Sequence, residues 1–280
     1  MAVFFAAAVC CVLLYFRLTM PARRSAGKNV FFGKRFFAHR GLHGKGICEN
    51  SMTAFRRAAD AGFGIELDVR LTKDGYPVVF HDDDLKRLCG TEKSVHEMTW
   101  AQLQMLSLPD GQKIPLFSQV LETAAGRTPL LVEIKSVKIG HTDVSQKVLE
   151  LLKDYTGPYA VQSFDPFQLR YFRKHAAQVI RGQLARKYPG GSGMSFGSVA
   201  ERLAGNLVFN CIGRPDYVAY QHTDTGKLCC RMIRRLFKAP FAVWTVCTEA
   251  EEEKVKDICD VIIFEGYLPE RSEEGSRPYV

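Results

Sequence analysis

From residue 35 onward, two kinds of segment alternate. Short apolar runs recur at Arg35–His39, Gly64–Val69, Leu130–Ile134, Tyr159–Gln162, Val179–Leu184, Tyr217–Tyr220, Phe241–Val246 and Val261–Phe264. Most are apolar throughout rather than every second residue, as expected of strands covered on both faces. Between them, apolar residues recur at helical spacing over Met52–Ala61, Leu116–Ala125, Val144–Asp154, Phe167–His175, Phe196–Ala204, Gly226–Lys238 and Glu249–Ile258. Eight strands alternating with helices predict an α/β fold whose parallel sheet closes into a (β/α)8 unit, that is, a TIM barrel. A doubly wound sheet is the alternative, but no Gly-rich dinucleotide fingerprint supports it.

The rhythm fails between Asp82 and Pro115, where no βα unit is legible. This interval, about residues 83–114, reads as a small insertion after the second strand, with one amphipathic stretch at Thr99–Leu106. A barrel carries its active site on the loops that follow its strands, so an insertion there would cap the pocket. A second long loop, KYPGGSGMSFG from Lys187, reads as a surface turn or a lid.

The N-terminus is apolar without periodicity. Ala2–Phe16, AVFFAAAVCCVLLYF, carries no charge. As a helix it is about 22 Å long, short of the ~30 Å hydrocarbon core, and Leu18 and Met20 extend it if Arg17 snorkels. A cleaved signal peptide, and hence secretion, is the competing reading; it wants a basic stretch before the apolar one. Here the basic residues follow it. That order predicts a single-pass membrane anchor at residues 1–20, a basic linker at 21–34 and a barrel at 35–270 on the cytoplasmic side. The membrane is then an expected partner.

The composition is that of an ordinary globular chain: 280 residues, 46% hydrophobic and 24% charged. A net charge of +8 suits anionic partners such as phosphate esters or acidic lipid, and no nucleic-acid-binding motif is present. The basic residues crowd around Arg23–Arg35 and Arg231–Lys238. Nine cysteines without paired spacing read as free thiols in a reducing compartment.

The segment IELDVRLTKDGYPVVFHDDDL, Ile65–Leu85, reads as a strand, a turn at Lys73–Gly75 and a second strand. Glu66 and Asp68 lie two apart in a strand, so they share a face. Buried carboxylates need a cation or strong hydrogen bonds. Glu133 ends another apolar run, with Lys135 two residues on. A structural salt-bridge network is one reading; three acids at the ends of neighbouring strands favour an oxygen-rich metal site, suited to Mg²⁺ or Ca²⁺ rather than zinc. His39-Arg40 ends the first run and His81-Asp82 the segment after the turn. Two histidines beside acids and an arginine point to general acid–base chemistry, with Arg40 suited to bidentate phosphate binding. Glu49 is a candidate to orient Arg40, and Ser51 to cap the following helix. Of Asp82, Asp83 and Asp84, only Asp82 is a candidate. His43, His96, His141, His175 and His222 read as surface or structural.

HRGLHGKGICENSMTAFRRAADAGFGIELDVRLTKDGYPVVFHDDDL resembles the glycerophosphodiester phosphodiesterase family, whose pattern is HRG, PEN[ST], E-x-D-V, T-x-D-G and VV-x-HD-x-x-L. Weaker matches continue through LVEIK, VQSFD and AVWTV, so the likeness covers most of Arg35–Phe264. The resemblance implies a TIM barrel with a small insertion after the HD motif. It implies His39 and His81 as general acid and base, Arg40 on the phosphate and Glu66, Asp68 and Glu133 on a divalent cation. It further implies Lys135 neutralising the phosphate, Trp244 in the glycerol pocket and Glu49 in a supporting position. The implied reaction is hydrolysis to glycerol 3-phosphate and an alcohol, with lysophospholipase D activity or a non-catalytic headgroup-binding module as alternatives. Cys48 replaces the usual proline, Cys247 the asparagine after Trp-Thr-Val, and Phe264-Glu265 the usual Thr-Asp or Thr-Asn. The last two place the pocket rim in question.

Overall fold

The computed structural model describes residues 1–22, 31, 33–188 and 196–270. Most of the expected linker (23–30 and 32) and most of the glycine-rich loop (189–195) lie outside the described residues. In chain order the strands are β1 Phe36–Ala38, β2 Gly64–Leu71, β3 Pro77–Val79, β4 Asp84–Leu85, β5 Thr91–Ser94, β6 Leu130–Ile134, β7 Tyr159–Ser163, β8 Ile180–Ala185, β9 Tyr217–Gln221, β10 Phe241–Val246 and β11 Val261–Phe264. The helices are α1 Ala2–Thr19, α2 Met52–Asp60, α3 Lys86–Cys89, α4 Trp100–Leu103, α5 Phe117–Ala124, α6 Asp143–Leu152, α7 Pro166–His175, α8 Phe196–Gly205, α9 Asn210–Gly213, α10 Leu228–Arg231 and α11 Glu249–Val255.

Parallel pairing runs β1-β2-β6-β7-β8-β9-β10-β11, and β11 returns to β1, so the eight strands predicted from apolar runs close into a barrel. Residues facing outward from the strands, such as Ile65, Leu67, Val132, Val161 and Val218, pack under the helices with Phe55, Phe117, Val148 and Phe172. The alternate residues fill the barrel: Phe37, Leu131, Ala160, Leu184, Tyr217, Ala219, Ala242, Val261 and Ile263.

Large and small side chains alternate in that interior. A methyl group on Gly182 would overlap the Tyr217 ring, and one on Gly64 the Phe37 ring. Gly182→Ala is therefore expected to cost about 1–3 kcal/mol in denaturant unfolding, the usual penalty for overpacking a filled core. Phe31 stacks edge-on against Tyr217 with ring centroids 4.8 Å apart and helps close the N-terminal end of the barrel.

The insertion follows β3, which runs antiparallel to β2 after the turn in which Gly75 N donates to Thr72 O. β4, α3, β5 and α4 enclose a small core of Val78, Phe80, Leu85, Val95, Met98, Leu103, Leu108 and Ile114, joined by Cys48. The helix expected over Gly226–Lys238 is shorter: α10 widens into a π turn at Met232–Leu236, where Phe237 N donates to Met232 O, and Lys238 ends it at φ 47°.

The N-terminal expectation requires correction. Among the described residues, no helix is long and apolar enough to cross a membrane, so the single-pass anchor and the cytoplasmic orientation deduced from it do not stand. α1 has 18 residues, about 27 Å of helix, against a hydrocarbon core of ~30 Å. Its last turn is also committed to protein contacts. Thr19 is fully buried and its carbonyl accepts from Asn210 Nδ2 at 2.9 Å. Arg214 Nη1 donates to Arg17 O at 3.1 Å and to Met20 O at 2.8 Å.

Candidate active site

Strand register assembles the site at the C-terminal end of the barrel. Asp68 on β2 pairs with Glu133 on β6, which pairs with Gln162 on β7. On the other side, Ala38 on β1 pairs with Phe264 on β11, so His39 and Glu265 leave neighbouring strands together. Inward-facing parity continues past the apolar layer: Glu133 lies two residues beyond Leu131, Gln162 beyond Ala160, His39 beyond Phe37 and Glu265 beyond Ile263.

Glu66, Asp68 and Glu133 converge, with one oxygen from each within 4.8 Å of the others. All three are buried. Burial, then the Asp68 and Glu133 charges, push the Glu66 carboxyl well above its ordinary range. Burial also raises Glu133, against the opposing pull of Lys135. Burial opposes ionisation of Asp68 too, yet Lys135, His81 and Arg40 hold its carboxyl below the usual range. Lys135 Nζ donates to Glu133 Oε1 at 2.6 Å and lies 3.1 Å from Asp68 Oδ1. Asp68 Oδ1 nevertheless accepts no aligned hydrogen bond, and one lysine does not balance three acids. A buried, oxygen-only donor set with an unsatisfied acceptor fits a hard divalent cation.

Supporting contacts fix these acids. Asn50, held at φ 52°, donates through Nδ2 to Asp68 Oδ2 at 2.8 Å. Gln162 donates through Nε2 to Glu66 Oε1 at 3.2 Å and accepts through Oε1 from Tyr217 OH at 3.1 Å. Arg40 N donates to Glu66 Oε2 at 3.1 Å. Ser51, next to Asn50, caps α2 by accepting from Ala54 N, so the helix start and the acid's partner are fixed by one turn.

Each histidine is held by a carboxylate. His39 Nδ1 lies 2.6 Å from Glu265 Oε2, and His81 Nδ1 lies 2.8 Å from Asp82 Oδ1. An ionised carboxylate only accepts, so each Nδ1 carries the proton and Nε2 is the free proton acceptor. Burial lowers the pKa of both rings; the bonded carboxylate and, for His81, nearby Asp68 offset it only in part. Burial therefore biases both rings toward the neutral form.

Arg40 Nη1 donates to Glu49 Oε1 at 2.7 Å, and its Nε is buried 3.7 Å from Asp68 Oδ2 without a hydrogen bond. Arg87, from α3 of the insertion, reaches both Glu49 oxygens and bonds Asp82 Oδ2 at 2.6 Å. The insertion thus ties the Glu49–Arg40 pair to the His81–Asp82 pair. Trp244 on β10 is half-buried, with Nε1 donating to Ala219 O at 3.1 Å and its ring edge-on to Phe164.

Of the sequence-derived set, Arg40, Glu49, Glu66, Asp68, His81, Glu133 and Lys135 come together as one contact network, His81 through Asp82 and Arg87; His39, next to Arg40 in the chain, pairs with Glu265, and Trp244 stands on the same end of the barrel. Asp82 joins it through His81. Asn50, Arg87, Gln162 and Glu265 are additional members. His43, read from sequence as surface or structural, lies with Nε2 buried 3.8 Å from Glu265 Oε1.

The closed (β/α)8 barrel gathers a carboxylate triad, two cationic side chains and two histidines at the C-terminal strand ends, the face on which enzymes of this fold class carry their active sites. The chain belongs to the glycerophosphoryl diester phosphodiesterase family, whose model matches residues 39–258. It is 34% identical over 158 residues to the glycerophosphodiester phosphodiesterase of Caldanaerobacter subterraneus subsp. tengcongensis, covering 52% of this chain and 65% of that protein. It is likewise 34% identical over 158 residues to the lysophospholipase D GDPD1 of Rattus norvegicus, covering 51% and 49%. The chain thus spans about half to two thirds of the length of these relatives. The crystal structure of a glycerophosphodiester phosphodiesterase from Thermotoga maritima superposes with a TM-score of 0.63 at 28% identity, covering 82% of this chain and 94% of that one.

Proposed function

We propose that the protein hydrolyses glycerophosphodiesters to glycerol 3-phosphate and an alcohol, with a divalent cation, Mg²⁺ or Ca²⁺, held by Glu66, Asp68 and Glu133. The observation that carries this is two carboxylate-braced histidines beside a buried acid triad. The barrel responsible is assigned to residues 35–270, with 83–114 as its insertion.

Bound there, the cation supplies charge stabilisation for a phosphoryl oxygen. Arg40 and Lys135 add fixed positive charge at the same phosphate. One histidine, neutral, takes a proton at Nε2 from the attacking oxygen, and the other, protonated on both nitrogens, delivers its Nε2 proton to the departing alkoxide. The attacking oxygen is the substrate's glycerol hydroxyl, giving a cyclic phosphate that water then opens to glycerol 3-phosphate, or it is water directly; unimpaired turnover of a substrate lacking that hydroxyl excludes the first. Glu265 and Asp82 hold the rings and favour their charged forms once protonated. Glu49 positions Arg40, and the Trp244 ring offers an apolar wall for the glycerol carbons.

The test is release of glycerol 3-phosphate from glycerophosphocholine, with each metal in turn. Turnover supports the reading. Binding without release would leave a headgroup-binding module instead. The likeness to a protein named lysophospholipase D makes lysophosphatidylcholine the substrate for comparison; faster turnover of it than of glycerophosphocholine would move the assignment to lipid-borne diesters.

A further inference from the structure

The other end of the barrel carries a second cationic cavity. It has a volume of about 750 Å³, within the range of small-molecule sites. It lies where the chain enters β1, β10 and β11, opposite the strand ends that hold the histidines. Lys34, Arg35, Arg234, Arg235 and Lys238 line it, against the two acids Asp257 and Asp260.

Two acids face Arg35, Arg234, Arg235 and Lys238 without ion-pairing to them. Asp260 Oδ2 is engaged by Phe241 N at 2.7 Å. Among the described residues, no ion pair joins Arg35, Arg234, Arg235 or Lys238 to a carboxylate. Two of the guanidinium groups are fastened in place. Arg35 Nη2 donates to Lys256 O at 2.7 Å and Arg234 Nη1 to Ile258 O at 3.2 Å. Arg234 also sits over the Phe241 ring at 5.6 Å, and its Nε is buried without a hydrogen-bond partner. A guanidinium anchored in this way keeps its orientation at the cavity wall, and an arginine fork can meet a phosphate with two donors. Arg234 and Arg235 stand on the π turn, and π turns inside helices are frequent at functional sites.

The walls are also apolar. Phe31, Ala239 and Phe241 contribute to the cavity, so it suits an organic phosphate better than a bare anion. We propose that this N-terminal-face cavity is a second binding site, distinct from the catalytic mouth, for a phosphate monoester. Its phosphate contacts Arg234, Arg235 and Lys238, and its organic part lies on the apolar wall. The phosphate comes from a soluble ester or from a phosphorylated lipid headgroup.

The test measures binding of pyrophosphate and of soluble inositol phosphate by calorimetry. It uses metal-free wild-type protein and the triple variant Arg234→Gln, Arg235→Gln, Lys238→Gln. The expected result is at least a tenfold loss of affinity in the variant, with glycerophosphocholine turnover unchanged. Hydrogen exchange on wild-type protein, with and without the soluble inositol phosphate, keeps the test decisive if the variant does not fold. Protection at residues 233–241 and 257–262 supports the site. Equal affinity in a folded variant, or no protection in those segments, overturns it. Vesicles containing phosphatidylinositol 4-phosphate separate the two sources. Vesicle binding that pyrophosphate displaces points to the headgroup, and binding of the soluble ester alone points to a free phosphate.

Discussion

His39→Ala and His81→Ala are each expected to lower kcat for glycerophosphodiester hydrolysis by about 10²–10⁴-fold, the range for losing a positioned general acid or base. Both rings stand on short braces: Glu265 at 2.6 Å and Asp82 at 2.8 Å fix Nδ1 and leave Nε2 for the reacting oxygens. Neither histidine lies in the packed barrel layer, so thermal stability should change little in either variant. If the two rings serve one proton-transfer sequence, their losses do not add. The double variant is expected to retain more activity than the product of the single losses, as for other groups that act as a unit. Glycerol 3-phosphate release under saturating substrate measures this. Full activity in either single variant would remove that histidine from the reaction, and the bonded carboxylate would then be structural.

The parts of this site that sequence made legible are those set by local pattern. Leu130–Ile134, Phe241–Val246 and Val261–Phe264 match their apolar runs to the residue, because strands buried on both faces begin and end where polarity does. Glu66 and Asp68 share a face by strand parity alone. The residues that local pattern left out depend on partners far along the chain. Glu265 meets His39 across 226 positions, and only the closure of β11 onto β1 brings them together. Its parity with Ile263 was a usable signal, once β11 was known to be the neighbour. Gln162 reaches Glu66 across 96 positions through two strand pairings. Arg87 was hidden for another reason: it belongs to the insertion, whose short elements carry no extended period. The N-terminal expectation failed because apolarity was read without its contacts. Thr19, Asn210 and Arg214 use the end of that helix to dock on the barrel.

Glu133→Gln is expected to move activity and stability in opposite directions. Activity should fall by about 10²-fold or more, since a lost cation contact removes several kcal/mol of charge stabilisation and each 1.36 kcal/mol is tenfold. Metal-free stability at neutral pH should rise, because the variant relieves repulsion among three buried acids. The pH dependence fixes the sign. Glu66 and Glu133 have folded pKa values raised above the ordinary 4.5. Their contribution to stability is therefore fully present below pH 4.5 and is lost as pH rises through the raised values. Metal-free wild-type protein should accordingly lose stability as pH climbs above 4.5. Asp68, depressed, acts in the other window: its contribution is present above its ordinary 3.8 and is lost as pH falls toward its lowered value. Adding Mg²⁺ or Ca²⁺ at 100 times its Kd should restore about 2.7 kcal/mol to wild type, and far less to the variant. For a chain of this size that is a rise of roughly 2–4 °C in Tm per kcal/mol. A salt-bridge reading of the same residues makes the contrary prediction. If Glu133 served only to pair with Lys135, at 2.6 Å, its removal would leave a buried ammonium undercompensated and destabilise the metal-free protein. Thermal melts of wild type and Glu133→Gln, with chelator and with each cation, decide between them by the sign of the metal-free difference.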